Sequence, residues 1–180
     1  MHRHVLQGLQ THSVHLLTNS RKGDYTIFLG DNIYPVGMYP EGHPQRPLAQ
    51  HALDAQYNAA KENGGKIYFI PGNHDWYNNG LEGLKREENY LLETTKDPDI
   101  FQPKNGCPLS SVTVSEQIQL IMIDSQWYLE DWNFRPSINE NCEIKSRDKF
   151  FIEIENELKK HQNKTIIFAM HHPMFTNGTH

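Results

Sequence analysis

The chain is short of positive charge. Its 180 residues hold 17 Lys and Arg against 22 Asp and Glu, a formal net charge of −5. No basic stripe runs along it, which argues against nucleic acid as the main partner. The same balance says little about a small phosphorylated substrate, which a local metal charge attracts whatever the protein's net charge. Cysteine is as scarce, with Cys107 and Cys142 the only two. They form no CxxC, so a zinc ribbon is excluded, while a disulfide and two free thiols both stay open. Long apolar runs are missing too. No stretch approaches the roughly 20 residues of a membrane span, and Met1-His2-Arg3-His4 leads into no signal-peptide apolar region. No internal repeat, low-complexity tract or linker is present. What is left is a globular composition, 37% hydrophobic and 22% charged, of about one domain's length. Histidine, at 11, is the one residue in excess.

The most informative stretch is Lys66 to Tyr77, KIYFIPGNHDWY. Ile67-Tyr68-Phe69-Ile70 has the β-branched and aromatic composition of a buried strand. Pro71-Gly72 stops the pairing and turns the backbone. Asn73, His74 and Asp75 then follow, three side chains able to bind metal or move protons. Open α/β sheets build active sites in this way, at the carboxyl ends of strands.

The rest of the chain repeats the pattern. An imperfect apolar stripe, Val5, Leu6, Leu9, Leu16 and Leu17, predicts a helix from His4 to Asn19. His2, His4, His12 and His15 read as surface histidines, since no carboxylate or cysteine accompanies them. Tyr25 to Leu29 is a strand ending in Gly30-Asp31-Asn32-Ile33-Tyr34-Pro35, and Met38 to Gln45 is a loop. Pro47 opens a helix to Asn63 whose Ala52, Ala55 and Ala59 offer a small-residue packing face. A further helix spans Leu81 to Thr94, with Leu84, Leu91 and Leu92 on its apolar side. Asp97 to Ser110 reads as a surface loop. Ser111 to Val114 and Gln119 to Ile123 are strands, the second ending in Asp124, and Tyr128 to Cys142 is an ordered loop. Ser146 caps an amphipathic helix, with Asp148 favouring its N-terminal dipole and Phe150, Phe151, Ile154 and Leu158 as its buried stripe. Thr165 to Met170 is the last strand and ends in His171-His172-Pro173.

Four strands thus end in polar clusters, at Asp31, Asn73, Asp124 and His171. Right-handed crossovers place such ends on one edge of a mostly parallel sheet. Converging carboxylates repel unless a cation neutralises them, and oxygen and nitrogen donors of this kind suit Mn, Fe or Zn. Metal binding is the economical reading.

Gly30-Asp31-x-x-Tyr34, Gly72-Asn73-His74-Asp75 and Phe168-Ala169-Met170-His171 resemble three of the five motif blocks of the calcineurin-like metallophosphoesterases. Tyr34, three residues after Asp31, resembles the purple acid phosphatase branch. PGNHDWYNNG, PKNGCP and IDSQWYLEDW look most like its bacterial members. The resemblance implies an α/β layered fold of mostly parallel sheets flanked by helices, in a single partial catalytic domain over residues 1–180. It implies two metal ions, Fe(III) with Fe, Zn or Mn, bridged by Asp31. Tyr34 would bind the first ion as a phenolate, and Asn73 and His171 the second. His74 would face the substrate, with Asp75 holding its orientation, and His180 would be a second substrate-facing histidine. His172 reads as a packed neighbour, and Asp124 as loop or supporting structure. The reaction implied is hydrolysis of a phosphate ester on a small phosphorylated substrate. Trp76, Tyr77, Trp127, Tyr128 and Trp132 could line a pocket for an aromatic leaving group or simply pack the core.

The family pattern begins with an Asp-x-His or Asp-x-Gly block and ends with Gly-His-x-His, and neither occurs here. The expectation is a chain cut at both ends that binds metal poorly, at the second site before the first. Two alternatives stand beside the hydrolase. One is a non-catalytic domain that binds a partner through its Trp-rich loops; the other is a metal-dependent nuclease, against which Tyr34 and the missing basic groove both count. Branch members are often exported to the periplasm or medium, a location that a Cys107–Cys142 disulfide would suit.

Overall fold

The computed structural model describes residues 21–131, 134, 138 and 140–175. The helix expected over residues 4–19 with its histidines, Trp132 and His180 lie outside the described residues. Strands β1 (Thr26–Leu29) and β2 (Ile67–Ile70) pair in parallel, with Leu29 opposite Ile70. The crossover between them carries helix α1 (Arg46–Lys61), with a proline in its first turn. Its buried side is Ala49, Leu53 and Ala60, and not the expected row of Ala52, Ala55 and Ala59. Leu53 carries the bulk there, returning about 1.5–3 kcal/mol on full burial.

After β2 come a short helix α2 (Asn73–Trp76) and helix α3 (Leu81–Thr95). A 3-10 turn at Lys104–Gly106 leads into β3 (Leu109–Thr113) and β4 (Ile118–Ile123), which pair antiparallel. Helix α4 (Ser125–Leu129) follows β4, and α5 (Arg147–Lys160) precedes β5 (Thr165–Met170). β5 pairs in parallel with β4, so the described strands form two sheets, β1-β2 and β3-β4-β5, rather than one.

Alternation explains how the sheets meet. Successive strand residues point to opposite faces. Tyr68 and Ile70 of β2 pack with Leu120 and Met122 of β4 and Ala169 of β5, joining the sheets face to face. Ile67 and Phe69, and likewise Ile121 and Ile123, turn the other way into the larger core with the helices. β2 and the Leu120–Ile123 end of β4 are therefore apolar on both sides, which is why each reads as a continuous apolar run.

Ser146 caps α5 as expected, its Oγ accepting the Lys149 N–H at 3.1 Å. The predicted stripe needs correction: Phe150 is buried and Ile154 packs half-buried against the core, while Phe151 is 56% and Leu158 37% exposed. Phe151 instead meets Tyr128 and Phe150 edge to face. Cys107 and Cys142 are joined, with Cα atoms 5.5 Å apart, so the disulfide alternative holds. Among the described residues no helix is long and apolar enough to cross a membrane.

Candidate metal centre at the strand ends

The parallel register of β1 and β2 sets the turns after them side by side. Gly30 has φ +90°, and a Cβ on it would lie 2.6 Å from the Gly72 nitrogen and 2.8 Å from His171 Nδ1. A Cβ on Gly72 would lie 2.4 Å from both the backbone nitrogen and Oδ1 of Asp31. Only glycine fits either place, so the two Gly-Asp/Gly-Asn turns are in van der Waals contact. Asp31 itself holds a left-handed φ of 54°, strained for a residue with a side chain. That conformation is kept because the carboxylate is tied down. Its Oδ1 accepts the His74 backbone N–H at 3.0 Å and its Oδ2 the Tyr34 hydroxyl at 2.6 Å.

His171 comes from the other sheet and closes the cluster. Its Nδ1 lies 2.9 Å from the Leu29 carbonyl, which can only accept, so Nδ1–H is the donor. Nε2 then faces two oxygens, Asn73 Oδ1 at 3.1 Å and Asp31 Oδ1 at 3.3 Å. A neutral imidazole would aim its lone pair at two further acceptors, an arrangement that calls for a cation or a proton between them. Metal-binding histidines characteristically spend their other N–H on a backbone carbonyl or carboxylate. The spacing also fits: donors bound about 2.1 Å from one ion sit roughly 3.0–3.4 Å from each other. The Asn73 amide is turned the same way, because its Nδ2 donates to the Tyr77 hydroxyl.

His74 stands on the opposite side of Asp31. Its ring is held by Nδ1–H donating to the Pro35 carbonyl and lies against the rings of Tyr34 and Tyr77, with centroids 4.3 and 4.8 Å away. Nε2 faces Asp31 Oδ2 at 3.9 Å. Tyr34 is 65% exposed, and donation to Asp31 pushes its hydroxyl up to about 12 in the absence of a cation.

The resemblance has Asp75 holding His74, but the Pro35 carbonyl does that instead. Asp75 is buried, and its carboxylate gathers the backbone N–H groups of Gly72 at 2.8 Å, Ile33 at 3.2 Å and Asn32 at 3.3 Å. Burial pushes it up to about 6 against the pull of those donors. Asp124 is equally buried. It caps α4 through the Trp127 N–H at 3.0 Å and accepts from Trp76 Nε1 at 3.1 Å. Burial pushes its carboxyl up to about 8. His172 points away to Ser125 Oγ, 2.8 Å from Nδ1. Trp76 and Trp127 are core residues, while Tyr77 is 54% exposed beside the cluster.

Two residues escaped the sequence reading. Asn32 is buried, and its Nδ2 reaches the Ile70 carbonyl at 2.9 Å and Glu87 Oε1 at 3.1 Å. Glu87 is wholly buried in α3, against Asp75 and Asn32. Burial and the nearby Asp75 push it well above the usual carboxylate range. The signal was present: Glu87 falls on the apolar row of Leu84 and Leu91, where a charged residue demands a reason.

The cluster therefore mixes one carboxylate, one imidazole, one amide and one phenol, placed by three strand ends. The described residues hold no group of three or more His, Cys, Asp or Glu suited to a metal. The cluster's other two oxygen atoms belong to Asn73 and Tyr34, residue types outside that set. A family profile of calcineurin-like phosphoesterases matches residues 6–180, nearly the whole chain. The chain belongs to the calcineurin-like phosphoesterase family. No curated protein and no solved structure matches it. Members of this family hydrolyse phosphoesters with metal ions, generally two divalent ones. The mixed α/β layers agree with that membership.

Proposed function

We propose that the strand-end cluster is part of a dinuclear site that hydrolyses phosphate esters, in the manner of the purple acid phosphatase branch. The observation that carries the reading is His171, whose Nδ1–H is spent on the Leu29 carbonyl while Nε2 faces Asn73 Oδ1 and Asp31 Oδ1. Asp31, Asn73 and His171 would hold one ion, and Asp31 with Tyr34 would face the other. Such ions supply Lewis acidity, lowering the pKa of bound water and offsetting charge on phosphoryl oxygens.

The chain's own residues do the rest. Asp31 offers one oxygen to each side, which its left-handed backbone and the His74 N–H keep in place. Tyr34 keeps its proton on Asp31 unless a strong Lewis acid such as Fe(III) takes its place; that is the basis for favouring the purple branch. His74, held at Nδ1 by Pro35, presents Nε2 over the cluster, where it can give a proton to the departing alkoxide. The half-exposed rings of Tyr34 and Tyr77 flank it, and the site opens to solvent on their side. A small phosphorylated substrate fits this better than nucleic acid, which a net charge of −5 would repel.

The test is a titration of the purified chain with Mn(II), Zn(II) and Fe(III), with hydrolysis of p-nitrophenyl phosphate followed in parallel. The first equivalent should go to the side with three donors. His171→Ala should abolish that binding, and Asn73→Ala should weaken it about 10–100-fold, while the fold persists. Metal binding indifferent to His171→Ala would overturn the assignment.

A further inference from the structure

Beneath the cluster lies a buried polar knot that belongs to neither metal side. Its centre is the Asp75 carboxylate, which accepts N–H groups from both turns that carry the candidate ligands. Gly72, just before Asn73, donates from one turn; Asn32 and Ile33, just after Asp31, donate from the other. Asn32 ties the same turns again through its side chain, donating to the Ile70 carbonyl at the end of β2. Both of these residues end on Glu87, the only side chain of the knot contributed by α3. Glu87 Oε1 accepts from Asn32 Nδ2 at 3.1 Å. Its Oε2 is buried and finds no donor. An acceptor with no donor in the interior is costly. Oε2 has a use if it carries a proton and donates to the adjacent Asp75 carboxylate. Arg86, next in sequence, supplies no charge here, since its guanidinium binds the Met38 and Asn78 carbonyls.

We propose that Glu87 is a positioning residue for the metal centre: as a buried carboxylic acid it donates to Asp75 and accepts from Asn32, and so fixes the spacing of the Asp31 and Asn73 turns. This rests on the metal reading above but makes a separate claim. It assigns α3 a part in the site that no strand-end motif contains. It also explains why a carboxyl group occupies a core row otherwise filled by Leu84 and Leu91.

The experiment compares the full chain with Glu87→Gln and Glu87→Leu. Gln can accept from Asn32 with its oxygen and donate to Asp75 with its amide, mimicking the protonated acid; Leu can do neither. The first readout is hydrogen–deuterium exchange at the Asn32, Ile33 and Gly72 amides, which needs no metal. Glu87→Leu should speed these by about tenfold or more relative to the β4 amides, and Glu87→Gln should leave them slow. The second readout is Mn(II) affinity, which should fall about 10–100-fold in Glu87→Leu and return to near wild type in Glu87→Gln. If Glu87→Leu does not fold, Glu87→Gln still decides, because loss of protection or affinity in that variant overturns the donor–acceptor role. Unchanged exchange and affinity in Glu87→Leu overturn it as well. A wild-type chain that binds no Mn(II), with the exchange pattern as expected, would sink the metal reading and leave the positioning role of Glu87 standing.

Discussion

Replacing Gly72 by alanine isolates the contact between the two strand-end turns. Gly72 has φ −113°, a conformation any residue adopts, so Gly72→Ala brings no backbone strain. What it brings is a methyl 2.4 Å from the nitrogen and Oδ1 of Asp31. Backbone cannot swing aside as a flexible side chain can, and overpacking of this kind costs about 1–3 kcal/mol. Gly42 is the converse control, with φ +78° and nothing within 4 Å of an added Cβ. Gly42→Ala should cost only the left-handed strain, about 1–2 kcal/mol. Gly30 combines both, with φ +90° and the Gly72 nitrogen 2.6 Å away, so Gly30→Ala should cost roughly 2–5 kcal/mol. Each variant also gains roughly 0.4–1 kcal/mol from a stiffer unfolded chain, so differences between the three carry the test. Thermal melts provide the assay, at about 2–4 °C per kcal/mol for a domain of this size. Metal titration should show Gly72→Ala weakened and Gly42→Ala untouched. If Gly72→Ala binds metal normally, or Gly30→Ala melts with Gly42→Ala, the turns do not touch as described.

Asp124 predicts a pH dependence. Its folded pKa of about 8 lies above the unfolded value, so the buried acid contributes stability that is fully present below about pH 4 and is lost as pH rises towards 8. The slope from this one group is at most about 1.4 kcal/mol per pH unit, and Asp124→Asn should flatten it in urea melts at pH 5 to 8. An unchanged slope would refute the assignment. Reduction of the Cys107–Cys142 bond, whose partners are 35 residues apart, should lower stability by roughly 4 kcal/mol. Melts with and without reductant, and with Cys107→Ser, check this; a shift common to wild type and variant would point elsewhere.

Much of the candidate site was legible because its residues follow strands. Ile67 to Ile70 and Thr165 to Met170 announce themselves by composition, and the polar residues after them inherit their positions. Asp75 was misassigned because sequence puts it next to His74, whereas helix α2 turns the two side chains apart. A single turn of four residues is too short to leave a periodic trace. The division into two sheets was hidden for a different reason: pairing partners are fixed by tertiary packing, and nothing in β1 names the strand it pairs with. Phe151 and Leu158 satisfied helical spacing, yet spacing cannot tell how wide a stripe the core will cover. Glu87 broke the apolar row of α3, and a broken row was itself the clue.

The pairing of Leu29 with Ile70 has a consequence for how this site can vary. Strand pairing admits only whole-residue steps of about 3.3 Å, and each step also exchanges the two faces of the strand. The separation between Asp31 and Asn73, a continuous quantity, is thereby tied to an integer. Substitutions inside β1 or β2 can change how many molecules are folded without altering the spacing of the two turns in each folded molecule. Fine adjustment of the site falls to what lies beyond the ladder, at the two glycines, Asn32 and the helix behind them.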